Sequence, residues 1–118
     1  MGVGRVDMTP RPITGEIWWA QPDSTVGREQ FGRRPVLIVS NEQYHQVVTT
    51  LVITVPLTTT DRGWSNHVRV CPEGLGRASF AMTEQVRTIS RQRLVERIGR
   101  VDSQTMAEVR MWISDWIR

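Results

Sequence analysis

The sequence predicts a mainly β domain of the α+β class: an antiparallel sheet that curls towards a barrel, with one amphipathic helix at its C-terminal end. Three observations predict it. Short β-prone runs recur along the chain with turn residues between them. Apolar and polar residues alternate where a run is half-buried. Only the last stretch repeats its apolar residues every three or four positions. At 118 residues the chain has the length of one ordinary domain.

Residues 1–12 hold Arg5, Asp7, Pro10, Arg11 and Pro12 but no apolar stretch, so they are expected to be a flexible tail and not a secretory signal, with the domain over 13–118. Residues 14–20 (TGEIWWA) start at Gly15 and carry the β-prone Ile17, Trp18 and Trp19, which predicts the first strand. The polar stretch from Gln21 to Arg33 follows as a long loop. Residues 35–39 (PVLIV) are an unbroken, largely β-branched run and predict a buried central strand; Ser40-Asn41 then offers a turn or a helix cap. Residues 51–57 (LVITVPL) repeat that character. Pro56 has no N–H for a ladder, so it is expected at the strand's end or at a bulge. A second loop, Thr58 to Ser65, leads to the alternating run His67 to Cys71, which Pro72-Glu73-Gly74 breaks. Short strands are expected at 79–83, 86–90 and 94–101. In the final helix Met106, Val109, Trp112, Ile113, Trp116 and Ile117 form one stripe after Asp102-Ser103, a suitable N-cap. The core is small, and association with a second copy would bury more apolar surface.

Apolar residues make up 39% of the chain and charged ones 23%, as in globular proteins, and no apolar run approaches the ~20 residues of a membrane span. Cys71 is the only cysteine, which rules out an internal disulfide, and a cytoplasmic location is expected. The net charge of +3 is too small to mark a nucleic-acid binder. All fifteen basic residues are arginine, and the pI is about 10.4. Arginine's planar fork matches phosphate oxygens, though codon usage in a GC-rich genome is the plainer source of the bias.

Several chemistries lack their residues. Two His and one Cys make a poor metal-ligand set, and His67 and Cys71, four apart on a strand, lie about 13 Å apart by strand rise. No metal and no cofactor is expected: there is no phosphate-binding loop, no dinucleotide fingerprint and no GxSxG elbow.

What remains is Gly27-Arg28-Glu29-Gln30-Phe31-Gly32-Arg33-Arg34-Pro35, leading into the central strand. On its own it is a polar loop, and an Arg before Pro at a strand start is ordinarily solvated. Together with Ser40-Asn41, however, the stretch resembles the signature of the MazF/PemK toxin ribonucleases, in which a G-x-E-Q-x-G-x-R-P loop precedes an apolar strand. The likeness extends to Gly15-Glu16-Ile17-Trp18, Val55-Pro56-Leu57-Thr58, His67-Val68 and Glu84-Gln85-Val86-Arg87-Thr88-Ile89, and so covers nearly all of 13–118. It implies an SH3-like barrel with a C-terminal helix, a homodimer, and metal-independent cleavage of single-stranded RNA at short sequences. A cognate antitoxin would inhibit it, with acidic disordered segments laid over the arginine-lined groove.

In metal-free cleavage the RNA's own 2′-hydroxyl attacks the adjacent phosphorus, giving a 2′,3′-cyclic phosphate and a 5′-hydroxyl; the protein must neutralise the phosphorane. The resemblance makes Arg34 the leading catalytic residue, and its permanently charged fork suits that role better than the role of a base. It places a catalytic hydroxyl at Thr58; otherwise a strand-end Thr would simply satisfy backbone groups. Glu29 is the candidate acceptor of the 2′ proton, against a salt bridge to Arg33 or Arg34. Histidine is the conventional ribonuclease acid or base, but the strand position of His67 favours packing, and it is assigned as an RNA contact. Gln30 and Gln85 are the amides for base reading, Trp64 the aromatic platform, and Arg62 and Arg87 the phosphate contacts. Trp112 and Trp116 fall on the helical stripe and are read as core or dimer contacts. Two positions depart from the family pattern. Arg28 replaces a small residue and joins the RNA-binding set, altering the preferred RNA sequence, and Thr14 replaces an Arg. The rival readings are a CcdB-like gyrase poison of the same fold and a barrel that merely binds RNA or protein.

Overall fold

A computed structural model of the chain describes residues 9–21 and 32–118. Three of the assigned site residues, Arg28, Glu29 and Gln30, lie outside these. The strands are β1 (Glu16–Ala20), β2 (Arg34–Ile38), β3 (Leu51–Thr58), β4 (His67–Val70), β5 (Ser79–Met82), β6 (Arg87–Ser90) and β7 (Leu94–Arg100). Two helices accompany them, α1 (Glu42–Val47) and α2 (Ser103–Ile117). Each strand lies within two residues of its expected bounds.

Every ladder is antiparallel, in the order β4-β5-β3-β2-β1-β7, with β6 also on β3. No ladder joins β4 to β7, so the sheet curls without closing. Strand β3 is the hub. Its first half pairs with β6, from Leu51↔Ser90 to Thr54↔Arg87, and its end pairs with β5, Leu57↔Ala81 and Thr58↔Phe80. Val55 and Pro56 fall between the two partners. The expectation for Pro56 is corrected accordingly: it sits inside the strand, opposite Val36, where the other edge of β3 changes partner and no N–H is called for.

The period of two separates the faces. Ile17, Leu37 and Val55 lie in one cross-strand row, all fully buried. With Leu57, Val68, Val70 and Ala81 they pack on Met106 and Val109 of α2. The alternate row, Trp18, Val36 and Pro56, faces the other way. There Ala20, Val36, Ile38, Val52 and Leu94 form a second buried cluster, with Trp18 and Ile89 against it. Each large apolar side chain buried this way contributes roughly 1.5–3 kcal/mol.

Asp102 caps α2 by accepting the Thr105 N–H at 2.7 Å. The stripe anticipated on α2 is buried at Met106 and Val109 and half-buried at Trp112 and Ile113. In its last turn Trp116 is 49% and Ile117 77% exposed, so neither is core in the single chain. Trp116 stacks on Trp112 at 5.8 Å between centroids and donates its indole N–H to Thr83 Oγ1 at 3.2 Å.

Helix α1 was not anticipated, since only the C-terminal segment reads as helical. With six residues and none buried, it has no apolar period to read. Its ends hold it. Asn41 Oδ1 accepts the Tyr44 N–H at 2.9 Å, so of the two readings open for Ser40-Asn41 the cap is the one realised. At the other end the buried Arg91 donates to the carbonyls of His45 (2.5 Å), Val48 (3.1 Å) and Leu51 (3.1 Å). Beneath α1, the buried Ser40 hydroxyl lies 2.6 Å from His45 Nε2 and accepts the Ile53 N–H at 3.1 Å. Burial and the Arg91 charge together hold the His45 imidazole below its ordinary range, consistent with a neutral ring that accepts from Ser40.

Gly74, in the 3₁₀ turn Glu73–Leu75, passes so close to β7 that a Cβ there would stand 2.6 Å from the Ile98 carbonyl oxygen. That obstacle is backbone and cannot rotate away. Gly74→Ala is expected to destabilise the fold by about 1–3 kcal/mol, measured by urea denaturation. A variant as stable as the parent would mean that the turn shifts freely.

Candidate active site

In the β2–β3 ladder Val36 faces Pro56 and Ile38 faces Thr54. Continuing that register by two residues sets Arg34 opposite Thr58, on the face of Val36 and Pro56. All four line one open trough of about 790 Å³, together with Ala20, Thr54 and Ile89. Directly opposed side chains on one face stand about 5 Å apart at Cβ, within reach of a single phosphate.

The walls come from three further segments. Arg87, the first residue of β6, pairs with Thr54 and joins the lining. Arg62 is brought in by the β3–β4 loop, where Asp61 Oδ1 accepts the Gly63 N–H at 2.9 Å and Gly63 takes φ +74°. Gln85 follows β5 in a tight turn closed by its N–H to the Met82 carbonyl at 3.0 Å. Arg34, Arg62, Arg87 and Arg93 all line the trough, and no carboxylate does so among the described residues.

Arg34 is exposed, and no described residue accepts from its guanidinium. Thr58 Oγ1 accepts the Thr60 N–H at 3.1 Å, which leaves its own O–H proton to donate outwards. The backbone-satisfying role and the phosphate-holding role of a strand-end Thr are therefore compatible here. Arg33, the other cation weighed as a partner for Glu29, lies 3.4 Å from Glu96 on β7, an exposed pair worth little.

Two assigned RNA contacts sit elsewhere. The His67 side chain is only 2% exposed, lies off the trough, and has Nε2 at 3.1 Å from both carboxylate oxygens of Glu84. By the period of two His67 shares its face of β4 with the exposed Arg69, and it is buried because Trp64 and Glu84 cover the ring. Trp64 is 52% exposed but lies over the His67 ring, centroids 4.8 Å apart, outside the trough lining. Among the described residues no three His, Cys, Asp or Glu side chains converge as a metal site.

Sequence reasoning missed Arg93, Gln21 and Met82 in the lining. For Arg93 a partial signal existed. Arg87 and Ile89 alternate onto the trough, and strict alternation would continue to Arg91. The 3₁₀ turn Arg91–Arg93 breaks it, turning Arg91 inwards and presenting Arg93 instead.

Comparison with known proteins identifies the group to which this architecture belongs. Residues 13–117 match the model of the PemK-like, MazF-like toxins of type II toxin–antitoxin systems. The chain belongs to this family. Among curated members, endoribonuclease MazF9 of Mycobacterium tuberculosis is 35% identical over 108 residues, covering 80% of this toxin and 86% of that one. Endoribonuclease EndoA of Bacillus subtilis is 31% identical over 98 residues, covering 80% and 84%. Among solved structures, a MazE–MazF crystal form from Deinococcus radiodurans superposes with a TM-score of 0.76 at 27% identity, over 92% of this toxin and 97% of that chain. The match starts at residue 13, and Thr9 to Pro12 before it line a second cavity, between the end of α1 and the start of α2.

Proposed function

We propose that this toxin is an endoribonuclease whose trough cuts single-stranded RNA without a metal, by attack of the 2′-hydroxyl on the adjacent phosphorus. The observation that carries the reading is that Arg34 and Thr58, at the head of β2 and the tail of the adjacent β3, line one trough together with further arginines. The Arg34 fork binds two non-bridging oxygens and gains strength as the phosphorane's charge develops. The Thr58 hydroxyl donates to one of those oxygens and holds the phosphate in line. Arg62, Arg87 and Arg93 track the neighbouring phosphates, which makes binding strongly salt-dependent. Gln85 reads a base, Trp64 offers a flanking platform, and Glu29, five positions before Arg34, accepts the 2′ proton, while water protonates the 5′-oxygen as its bond to phosphorus breaks. Gln30 and Arg28 contact RNA.

Two partners follow. A second copy would cover apolar side chains left outside, among them Met111, Trp116 and Ile117. The Deinococcus relative is described as MazE–MazF, and a mycobacterial endoribonuclease, 25% identical with a TM-score of 0.69, as in complex with its cognate antitoxin. An antitoxin with acidic segments would suit this trough in the same way. Among the described residues no helix is long and apolar enough to cross a membrane. With RNA as its target, the toxin works in the cytoplasm.

The test is digestion of a long RNA in excess EDTA. Fragments ending in 2′,3′-cyclic phosphate and 5′-hydroxyl are expected. Intact RNA, or fragments with 3′-hydroxyl ends, would sink the mechanism. The gyrase and simple-binding alternatives both predict intact RNA.

A further inference from the structure

Behind the trough, on the side of β4 and β5, lies a chain of polar contacts that the cleavage chemistry does not use. Its innermost member is His67, side chain 2% exposed, roofed by Trp64. A carboxylate facing Nε2 at 3.1 Å requires the proton on that nitrogen, and Nδ1 is buried without a partner among the described residues. The imidazole is thus a one-sided donor, aimed at Glu84.

Glu84 has three donors. His67 Nε2 reaches both of its oxygens, Asn66 Nδ2 donates to Oε1 at 2.8 Å, and Gln85 Nε2 donates to Oε2 at 3.3 Å. Partial burial pushes this carboxyl up, but the His67, backbone and Gln85 hydrogen bonds outweigh it, so the group sits below its usual range and stays charged at neutral pH. An amide beside a carboxylate can present only its NH2 to it. Met82 Sδ, 3.6 Å from the same nitrogen, reinforces that orientation. The Gln85 carbonyl oxygen is left over. No described residue donates to it, and Gln85 lines the trough with its backbone already fixed by the Met82–Gln85 turn.

We propose that Glu84 is a positioning residue for specificity: it locks the Gln85 amide with its nitrogen inwards and its oxygen towards the RNA, so that the toxin selects an N–H donor on one base edge. An amide free to flip accepts from one base and donates to another, and reads neither. An amide held by a carboxylate that three donors fix in place presents an acceptor only. A base that offers a lone pair at that point meets the oxygen unpaired and repelled, whereas an exocyclic amino group or ring N–H is satisfied. The device rests on the ribonuclease reading above and adds the sense of the recognition.

The experiment takes the full chain, maps its preferred cleavage sequence on a randomised RNA pool, and compares two synthetic RNAs at the position sensitive to Gln85→Ala. One carries the preferred base. The other carries an analogue lacking the amino or imino N–H. The parent is expected to discriminate between them by about tenfold or more in kcat/KM. In Glu84→Gln, nearly the same shape, a neutral amide pairs with Gln85 in either orientation, and the ratio is expected to fall to within about threefold. A purely structural role for Glu84 would lower both rates by one factor and keep the ratio, which would overturn the proposal. A second measurement needs no variant: side-chain amide NMR of the parent is expected to show the Gln85 NH2 protected from water exchange, and exchange as fast as a free amide would overturn the lock. A parent that leaves RNA intact in EDTA overturns the ribonuclease reading and this inference together. A parent that cuts RNA but accepts both bases equally overturns only the inference.

Discussion

Replacing Arg34 by alanine is expected to lower kcat for RNA cleavage about a thousandfold, with a far smaller change in KM. The reason lies in how the trough divides its charge. Arg62, Arg87 and Arg93 remain to hold the RNA backbone, so ground-state binding loses one contact among several. The phosphorane loses the fork that lies at the end of β2 beside Thr58, and an interaction that strengthens in the transition state appears in kcat. Removal of one such preorganised donor costs about 10²–10³ in rate, and Arg34 supplies two bonds. Arg34→Lys keeps the charge without the fork and is expected to recover only part of the loss. Thr58→Ala should cost about 10- to 100-fold, the worth of one hydrogen bond to a charged oxygen, and Thr58→Ser should restore most of it. The double variant is expected to lose less than the product of the two factors, because both groups act on one phosphate. Single-turnover cleavage of a short RNA separates these outcomes. A loss confined to KM in Arg34→Ala would place that residue in binding alone.

The largest structural effect is expected at Arg91. Arg91→Ala should lower the melting temperature by about 10 °C or more, because three carbonyls lose their donor at once in a place water reaches poorly. His45 and Val48 belong to the end of α1, where helix carbonyls have no intrahelical partner, and Leu51 opens β3. Leaving such groups unsatisfied costs about 1–3 kcal/mol each, and a total near 3 kcal/mol corresponds to a shift of that size in a domain this long. Lysine cannot span three carbonyls that diverge from a planar fork, so Arg91→Lys should recover less than half. Differential scanning calorimetry decides it, and a shift of less than about 3 °C would mean that the carbonyls find other partners.

The strands were legible because their cause is local. Alternation at His67 to Val70 and the apolar runs at Val36 and Val52 record which face is buried, and turn residues mark the ends. Arg34 and Thr58 were legible as the head of one strand and the tail of the next. That they stand opposite one another depends on the β2–β3 register, which the intervening α1 helps to set and which no local pattern writes down. Helix α1 was invisible because its stability comes from Asn41 at one end and from Arg91, distant in sequence, at the other. The surroundings of His67 were hidden for a related reason: its partner Glu84, just beyond β5, is distant in sequence. Arg93 was hidden by a single 3₁₀ turn that rotates the pattern by one position.

The way β3 divides its length between β6 and β5 bears on when this toxin becomes dangerous to the cell that makes it. The residues around the trough enter from Ala20 to Arg93, and the strand carrying Thr58 is clasped on one edge only by segments translated after it. A nascent chain that has emerged only as far as β3 holds Arg34 and Thr58 but has neither Arg87 nor the β5 and β6 ladders that complete the sheet around them. Such long-range pairing forms late. Synthesis and arming therefore coincide near the end of translation, so partial products and proteolytic stubs carry the two key side chains without the weapon.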